Sequence, residues 1–386
     1  MPTTPLRNAL YRVRIALPWK VPGYPLQKPV TVLGRPLTYE RAYRRLLHRH
    51  HVLGSAALLQ HGARQTVILS SSDQPRHSVR ENSFFRVASI TKMATALAAL
   101  RAVWDERLSL TDPIASCFPQ LSLEPLKKIT LAQLLSHTSG LLDPPELDRS
   151  VSQEVPFTDL LPTSFVLPSG SFRYSNFGFG LIGSMLEAVY HEPIDVILKK
   201  LVFDPLDMNA TLHAASLDPA SIVPITRIYP YRPGKDLILT ALGAKPLSDP
   251  DPLLHYGYTA GAMYLDLFSL EKLIRCLKAG GKPLISGELG LLMRQRHAVY
   301  GKSSPTLSYG YGLLRIEDAS LSDSVLYGHQ GFAYGCADGA FWEESTGRSV
   351  IFLNGGASEA RRGRLGLCNY DVLHWALREE MPSWSE

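Results

Sequence analysis

Phe85-Arg86-Val87-Ala88-Ser89-Ile90-Thr91-Lys92-Met93-Ala94 is the stretch whose reading decides the fold. It spells S-x-x-K at the head of an apolar run. Residues three apart share one face of a helix, so Lys92 sits one turn from Ser89. A serine hydroxyl is a weak nucleophile at neutral pH and needs a base within hydrogen-bond reach. The following Ala94, Ala96, Leu97, Ala98, Ala99, Leu100, Val103 and Trp104 are apolar nearly all round, which predicts a helix inside the core. A lysine amine there is poorly solvated. Its pKa, ordinarily about 10.4, must fall before it can accept a proton.

The same spelling recurs at Ser269-Leu270-Glu271-Lys272. Its surroundings are an ordinary amphipathic pattern, with Leu267, Leu270 and Ile274 on one side. That context predicts a surface or capping serine and a solvated lysine, so the second copy serves as an internal control.

The chain has 386 residues, 45% hydrophobic and 19% charged, with a formal net charge of +5. That is a globular composition whose mild charge does not point to nucleic acid. Much of the excess lies early. Arg7, Arg12, Arg14, Lys20, Lys28, Arg35, Arg41, Arg44, Arg45 and Arg49 face one acid, Glu40. Residues 1–36 therefore read as a basic, proline-rich extended arm. A solvated arm lying on the main body is the favoured reading. Membrane contact, with Trp19 as an anchor, is the weaker one. No secretory signal or spanning run is evident, and Cys117, Cys276, Cys336 and Cys368 are scattered, so a cytoplasmic location with buried thiols is expected. No metal or organic cofactor is called for. His48, His50 and His51 cluster at a helix end, where they complement the dipole rather than hold a metal.

Thr38 can cap a helix over 39–51, and 54–59 with 65–70 read as a hairpin turning at His61-Gly62-Ala63-Arg64. Short helical patterns at 130–136 and 178–190 lie among Pro144, Pro145, Pro162 and Pro168. Residues 212–256 read as a loop-rich lid. A helix is expected around 266–278, then strands at 309–316, 325–332, 337–342 and 349–354, and a final helix at about 363–379. The organisation expected is an α/β (α+β) unit from 37–115 and 257–386, with an antiparallel sheet flanked by helices, and a mostly helical insertion at 116–256.

Two further clusters carry chemistry. Tyr174 and Asn176 stand two apart in Gly170-Ser171-Phe172-Arg173-Tyr174-Ser175-Asn176-Phe177-Gly178. A phenol with lowered pKa can carry a proton there, and an amide can orient substrate and lysine together. His329-Gln330-Gly331-Phe332 reads as a strand whose glycine lets a ligand approach the edge, where a free N–H can bind an oxyanion.

In chain order these clusters resemble the S-x-x-K, Y-x-N and K/H-T-G motifs of the penicillin-binding-protein and class C β-lactamase family. Ile129 to Leu141 is similar to its "iT…LLxHtSGL" segment. Pro205-Leu206-Asp207-Met208 is similar to its "PLGM", with Asp207 for Gly, and Ala260-Gly261-Ala262 to its "AGG". The resemblance covers roughly residues 50–375. It implies a serine hydrolase in which Ser89 is acylated, Lys92 helps deprotonate it and Tyr174 shuttles the proton. It further implies that Asn176 and His329 bind or tune the substrate site and that the N–H groups of Ser89 and Phe332 form an oxyanion hole. His137 belongs by resemblance to a structural turn. Gln330 stands where the family usually has a hydroxyl that helps hold a substrate carboxylate, and a protonated His329 would compensate in part. An esterase or D-peptidase on a small acyl or peptide substrate therefore ranks above an efficient β-lactamase. An acyltransferase with the same nucleophile and a non-catalytic binding protein on this fold are the alternatives.

Overall fold

The computed structural model describes residues 5–16, 28–32, 37–71, 78–120, 124–145, 147, 154–161, 170–223, 225, 247–301 and 304–381. Its helices used below are α1 (Pro5–Ala16), α2 (Leu37–Arg49), α3 (Thr91–Trp104), α4 (Leu131–Leu135), α5 (Asn176–Tyr190), α6 (Leu267–Lys278) and α7 (Leu367–His374). The strands are β1 (Lys28–Val32), β2 (Gly54–His61), β3 (Arg64–Ser71), β4 (Phe85–Arg86), β5 (Ala210–Thr211), β6 (Tyr264–Leu265), β7 (Ala298–Val299), β8 (Leu307–Tyr309), β9 (Leu314–Ile316), β10 (Leu326–Ala333), β11 (Cys336–Glu343), β12 (Ser349–Gly355), β13 (Arg361–Arg362) and β14 (Leu365–Gly366).

Among the described residues, nine strands form one antiparallel sheet in the order β1-β3-β2-β12-β11-β10-β9-β8-β7. The early hairpin and the late strands join where β2 pairs with β12, from Gly54↔Gly355 to Gln60↔Ser349. Helices cover both faces. Ser349 of β12 meets Lys278 of α6 at 3.1 Å. Asn354, of opposite parity along the strand, meets Cys368 of α7 at 3.8 Å. Its partner Ser55 meets Tyr43 of α2 at 2.9 Å on that same face.

The sequence of α3, apolar nearly all round, does what it predicts: every residue from Thr91 to Leu100 is buried. α4 is closed by a capping box in which Thr130 accepts from the Gln133 N–H and the Gln133 side chain accepts from the Thr130 N–H. Ser175 caps α5 by accepting from the Gly178 N–H at 2.9 Å.

Three sequence expectations are corrected. The arm over 1–36 is not simply extended: its described parts form α1 and β1, and β1 adds an edge strand to β3. Trp19 and Lys20 lie outside the described residues. The strand expected at 309–316 is two strands, β8 and β9, because Gly310 and Gly312 turn the chain between them. Gly312 has φ +69°, and a Cβ on Gly310 would lie 2.2 Å from the Met293 carbonyl oxygen. The final helix begins at Leu367 rather than about 363, after the short β13–β14 pair, and widens into a π-helical turn over Trp375–Glu380. Of the expected lid, residue 224 and residues 226–246 lie outside the described residues, as do Pro162 and Pro168.

The contact that matters most is between β10 and the turn before α3. A Cβ on Gly331 would lie 2.4 Å from the Val87 carbonyl oxygen and 2.9 Å from Asp338 Oδ2. Gly331→Ala should therefore cost about 1–3 kcal/mol in chemical denaturation, because backbone rather than a side-chain tip must move. Gly287→Ala, whose Cβ would meet nothing nearer than Lys282 Cε at 4.0 Å, should leave the midpoint unchanged.

Candidate active site

Ser89 lies in a short 3₁₀ turn, Ala88–Ile90, that runs straight into α3. The turn is entered through a strained residue, Ala88 at φ 44°. It is held open from both sides. The Val87 N–H donates to the Met263 carbonyl at 3.0 Å. The Thr91 hydroxyl donates to the Ala88 carbonyl at 2.7 Å and accepts from the Met263 N–H at 3.2 Å. Ser89 is left half-buried at the crest of a buried helix.

Lys92 follows on α3 and is completely buried. Its Nζ lies 3.2 Å from Ser89 Oγ, 2.8 Å from Asn176 Oδ1 and 2.7 Å from the Ala260 carbonyl oxygen. The rings of Tyr174 and Phe179 wall it, at 5.0 and 5.6 Å. Burial pulls its pKa down from 10.5 to about 7; the Asp143 carboxylate opposes that shift and the Arg86 guanidinium adds to it. A neutral amine has two N–H bonds and one lone pair. Asn176 Oδ1 and the Ala260 carbonyl accept the two hydrogens, and the lone pair is left for the Ser89 hydroxyl.

Tyr174 completes the approach to Ser89, whose hydroxyl is close enough to act on the phenol's pKa. A lowered phenol pKa is the sequence expectation, and it is overturned. Burial drives the pKa up, against smaller opposing effects from Ser89 and Arg361. Tyr174 is therefore neutral and a donor.

The loop before α5 is positioned by the His137 turn. The Arg173 N–H donates to the His137 carbonyl at 2.8 Å, the Gly170 N–H to the Thr138 carbonyl at 2.8 Å, and the Ser175 N–H to His137 Nδ1 at 3.2 Å. The imidazole packs against Tyr174, Tyr309 and Phe179 at 4.3, 4.7 and 4.9 Å. Burial holds its pKa well below the usual value. His137 is a packing platform under Tyr174.

Asn176 is engaged at both ends of its amide. Its Nδ2 donates to Asp143 Oδ2 at 2.7 Å while Oδ1 accepts from Lys92. Asp143 Oδ1 also accepts from the Phe177 N–H at 2.9 Å and the Ser175 hydroxyl at 3.2 Å. Asp143 thus binds the amino end of α5, where a carboxylate complements the helix dipole. Sequence reasoning missed it; its only signal is its place just after the His137–Leu141 segment. Arg86 was also missed. It is buried in β4, with its Nε and Nη1 unpartnered among the described residues.

The third cluster lies on β10. β9 pairs with β10 only at Leu326, Tyr327 and Gly328, so the edge from His329 to Phe332 is open toward Ser89. β10 and β11 are joined by Tyr334 and Gly335 at φ 53° and 89°, a two-residue turn that makes Ala333 and Cys336 the hydrogen-bonded pair. By antiparallel alternation the Phe332 N–H then points away from β11, to the open edge.

Two expectations here are corrected. His329 is not a charged group at the cleft. It is buried, its Nε2 accepts from Tyr309 Oη at 2.9 Å, and its Nδ1 donates to the Gln330 carbonyl at 2.7 Å. Burial, with a smaller push from Lys92, takes its pKa down to about 3. Gln330 does not offer its amide to a ligand. Nε2 donates to the Arg364 carbonyl at 2.8 Å, and Oε1 accepts from the Gly366 N–H at 3.0 Å and Asn369 Nδ2 at 3.2 Å.

The internal control separates cleanly. Ser269 is buried rather than exposed, and its Oγ accepts from the Asn209 N–H at 2.7 Å. Lys272 is not simply solvated but bonds Asp207 Oδ2 at 2.6 Å. Asp207 has φ 52°, a conformation that Asp tolerates better than most residues, in the place where the resemblance expects Gly.

Two predictions follow from the site. The rate of Ser89 acylation by an activated ester should rise as pH climbs through about 7 and level off above it, because Lys92 accepts a proton only when neutral. His329→Asn should leave that limb in place; a limb displaced by a whole pH unit would return His329 to the proton path. Asp143→Ala should cost about 1–2 kcal/mol in thermal denaturation through three lost hydrogen bonds. It should also move the acylation limb to lower pH, since Asp143 holds the Lys92 pKa up; an unmoved limb would confine Asp143 to a structural role.

Residues 39–360 match the family model described as Beta-lactamase. The esterase EstB of Burkholderia gladioli is 26% identical over 372 residues, which cover 85% of this chain and 92% of that protein. Among solved structures, the D-amino acid amidase of Ochrobactrum anthropi SV3 complexed with L-phenylalanine amide superposes with a TM-score of 0.71 at 22% identity, covering 90% of this chain and all of that one. The octameric penicillin-binding protein homologue of Pyrococcus abyssi gives 0.68 at 20% identity, covering 88% and 76%. A serine hydroxyl backed by a buried amine, on an antiparallel sheet of this topology and within so long a family match, makes the chain a serine hydrolase that belongs to the Beta-lactamase family.

Proposed function

We propose that Ser89 attacks the carbonyl of a small ester or amide and carries its acyl group through a covalent intermediate. The observation that carries this reading is the 3.2 Å contact between Ser89 Oγ and the Nζ of Lys92, an amine neutral above about pH 7. As the new C–O bond forms, the hydroxyl proton passes to Lys92. The N–H groups of Ser89 and Phe332 receive the negative charge on the carbonyl oxygen; removing one such donor typically costs about 3 kcal/mol of transition-state stabilisation. When the tetrahedral intermediate collapses, Tyr174 gives its proton to the leaving oxygen or nitrogen and recovers one from the Lys92 ammonium. Water then enters by the reverse route and releases the acid. Asn176 and Asp143 act as positioning residues that keep the Lys92 lone pair on Ser89, and His329 supports Tyr174 through Tyr309.

Esters and simple amides suit this site better than β-lactams, because the Gln330 amide is occupied by the 364–369 segment and His329 carries no charge to meet a carboxylate. EstB is an esterase and the Ochrobactrum protein an amidase, so both bond classes occur among the proteins this chain is similar to. Phe172, Tyr300 and Phe332, all partly buried, supply apolar surface near Tyr174 for an acyl group. The four cysteines are free thiols, and no described helix is long and apolar enough to cross a membrane. We place the reaction in a reducing compartment on the first of these observations.

A fluorophosphonate probe should label the wild type and not Ser89→Ala, with the label on the peptide bearing Ser89. Across p-nitrophenyl esters, D-amino-acid amides and a chromogenic cephalosporin, kcat/KM should be highest on the esters and lowest on the cephalosporin. Labelling retained in Ser89→Ala would overturn the assignment.

A further inference from the structure

We propose that α1 is a membrane-surface helix that seats the mouth of the cleft against an anionic lipid layer. Two stripes of this helix differ in what they meet. Asn8 and Arg12, one turn apart, face the protein. Asn8 Nδ2 and Oδ1 hold the carbonyl and the N–H of Arg361 at 3.4 and 2.8 Å, and Arg12 Nη2 and Nε reach the same carbonyl at 2.8 and 3.2 Å. Leu6, Leu10 and Val13, spaced i, i+4, i+7, fall on the opposite stripe and are 72%, 52% and 56% exposed. Three large apolar side chains in register on the outside of a fixed helix form a face without a partner among the described residues.

The occupant follows from charge. The α1 sequence PLRNALYRVRIA contains Arg7, Arg12 and Arg14 and no acid, and in the chain the first acid is Glu40. An exposed apolar stripe on a basic helix of 12 residues, about 18 Å long, matches a surface of anionic headgroups over acyl chains.

The position of α1 gives the contact a purpose. The strand it grips carries the Arg361 side chain over the Phe332 ring at 4.8 Å, and the Arg361 charge reaches the Tyr174 phenol. α1 is therefore tied, through Arg361, to the segment that packs on Phe332 of β10, with its apolar stripe facing outward from that contact. Docking it would turn the cleft toward the lipid layer, so that apolar esters dissolved in the membrane reach Ser89 without crossing water.

Co-flotation of the full chain with vesicles tests this. Binding should be strong to phosphatidylcholine vesicles containing phosphatidylserine, weak to phosphatidylcholine alone, and reduced by added salt. The triple variant Leu6→Gln, Leu10→Gln, Val13→Gln should bind about tenfold less or weaker still, with an unchanged melting temperature showing that it folds. The same measurements on Ser89→Ala should match the wild type, which separates lipid docking from the assignment of the nucleophile. Flotation equal in the triple variant and the wild type, or no flotation with either vesicle, would overturn the proposal. So would a concentration-dependent dimer that the triple variant loses while lipid binding is absent, since the stripe would then cover a second copy.

Discussion

A single amine sets the terms for the rest of the structure. Lys92 Nζ sits in a space closed to water and has three neighbours, two of which can only accept. An ammonium there would have three acceptors at the cost of a buried charge, and burial tips the balance so that the neutral form prevails above about pH 7. The third neighbour is then the Ser89 hydroxyl, which has a proton to give. Asn176 and the Ala260 carbonyl thus do more than hold a side chain. By claiming the two amine hydrogens they fix the direction in which the lone pair points.

The other half of the site is a matter of distance between backbones. β10 comes so close to the turn before α3 that only glycine fits at 331, and β9 leaves β10 after Gly328. The remaining edge keeps an unused N–H at Phe332 facing the strained turn of Ala88. Strain at Ala88 and openness at β10 are complementary. In the proposed reaction, one presents an oxygen nucleophile out of a helix end, and the other supplies a fixed donor that needs no reorganisation when charge develops.

Much of this was legible in the chain because it depends on local pattern. The nearly all-round apolar character of α3 distinguishes Ser89–Lys92 from Ser269–Lys272, and the helical patterns at 130–136 and 178–190 locate α4 and α5, although the caps Thr130 and Ser175 emerge only from the structure. What was not legible depends on tertiary burial. No spacing rule gives the His329 ring its neutral state, since that comes from burial in the sheet, with a smaller push from Lys92. Nor does any rule show that Tyr174 is raised rather than lowered, because the depth at which the phenol is buried is a tertiary property. Asp143 was hidden for a related reason: its three bonds reach across to a helix start more than thirty positions later in the chain. The single strand expected over 309–316 failed at Gly310 and Gly312, where close packing rather than propensity breaks the run.

Gln330 has a consequence for how such a site can change over evolutionary time. Its amide is a clasp, closing the β10 edge onto the Arg364 carbonyl, the Gly366 N–H and Asn369. Exchanging it for a short hydroxyl residue would put the family's usual group at the third motif and in the same step leave those three partners without theirs. A lineage drifting toward carboxylate-bearing substrates would first have to rebuild the 364–369 segment, with no gain in recognition until both changes were present. The clasp thus ties the choice of residue at 330 to the backbone of the 364–369 segment.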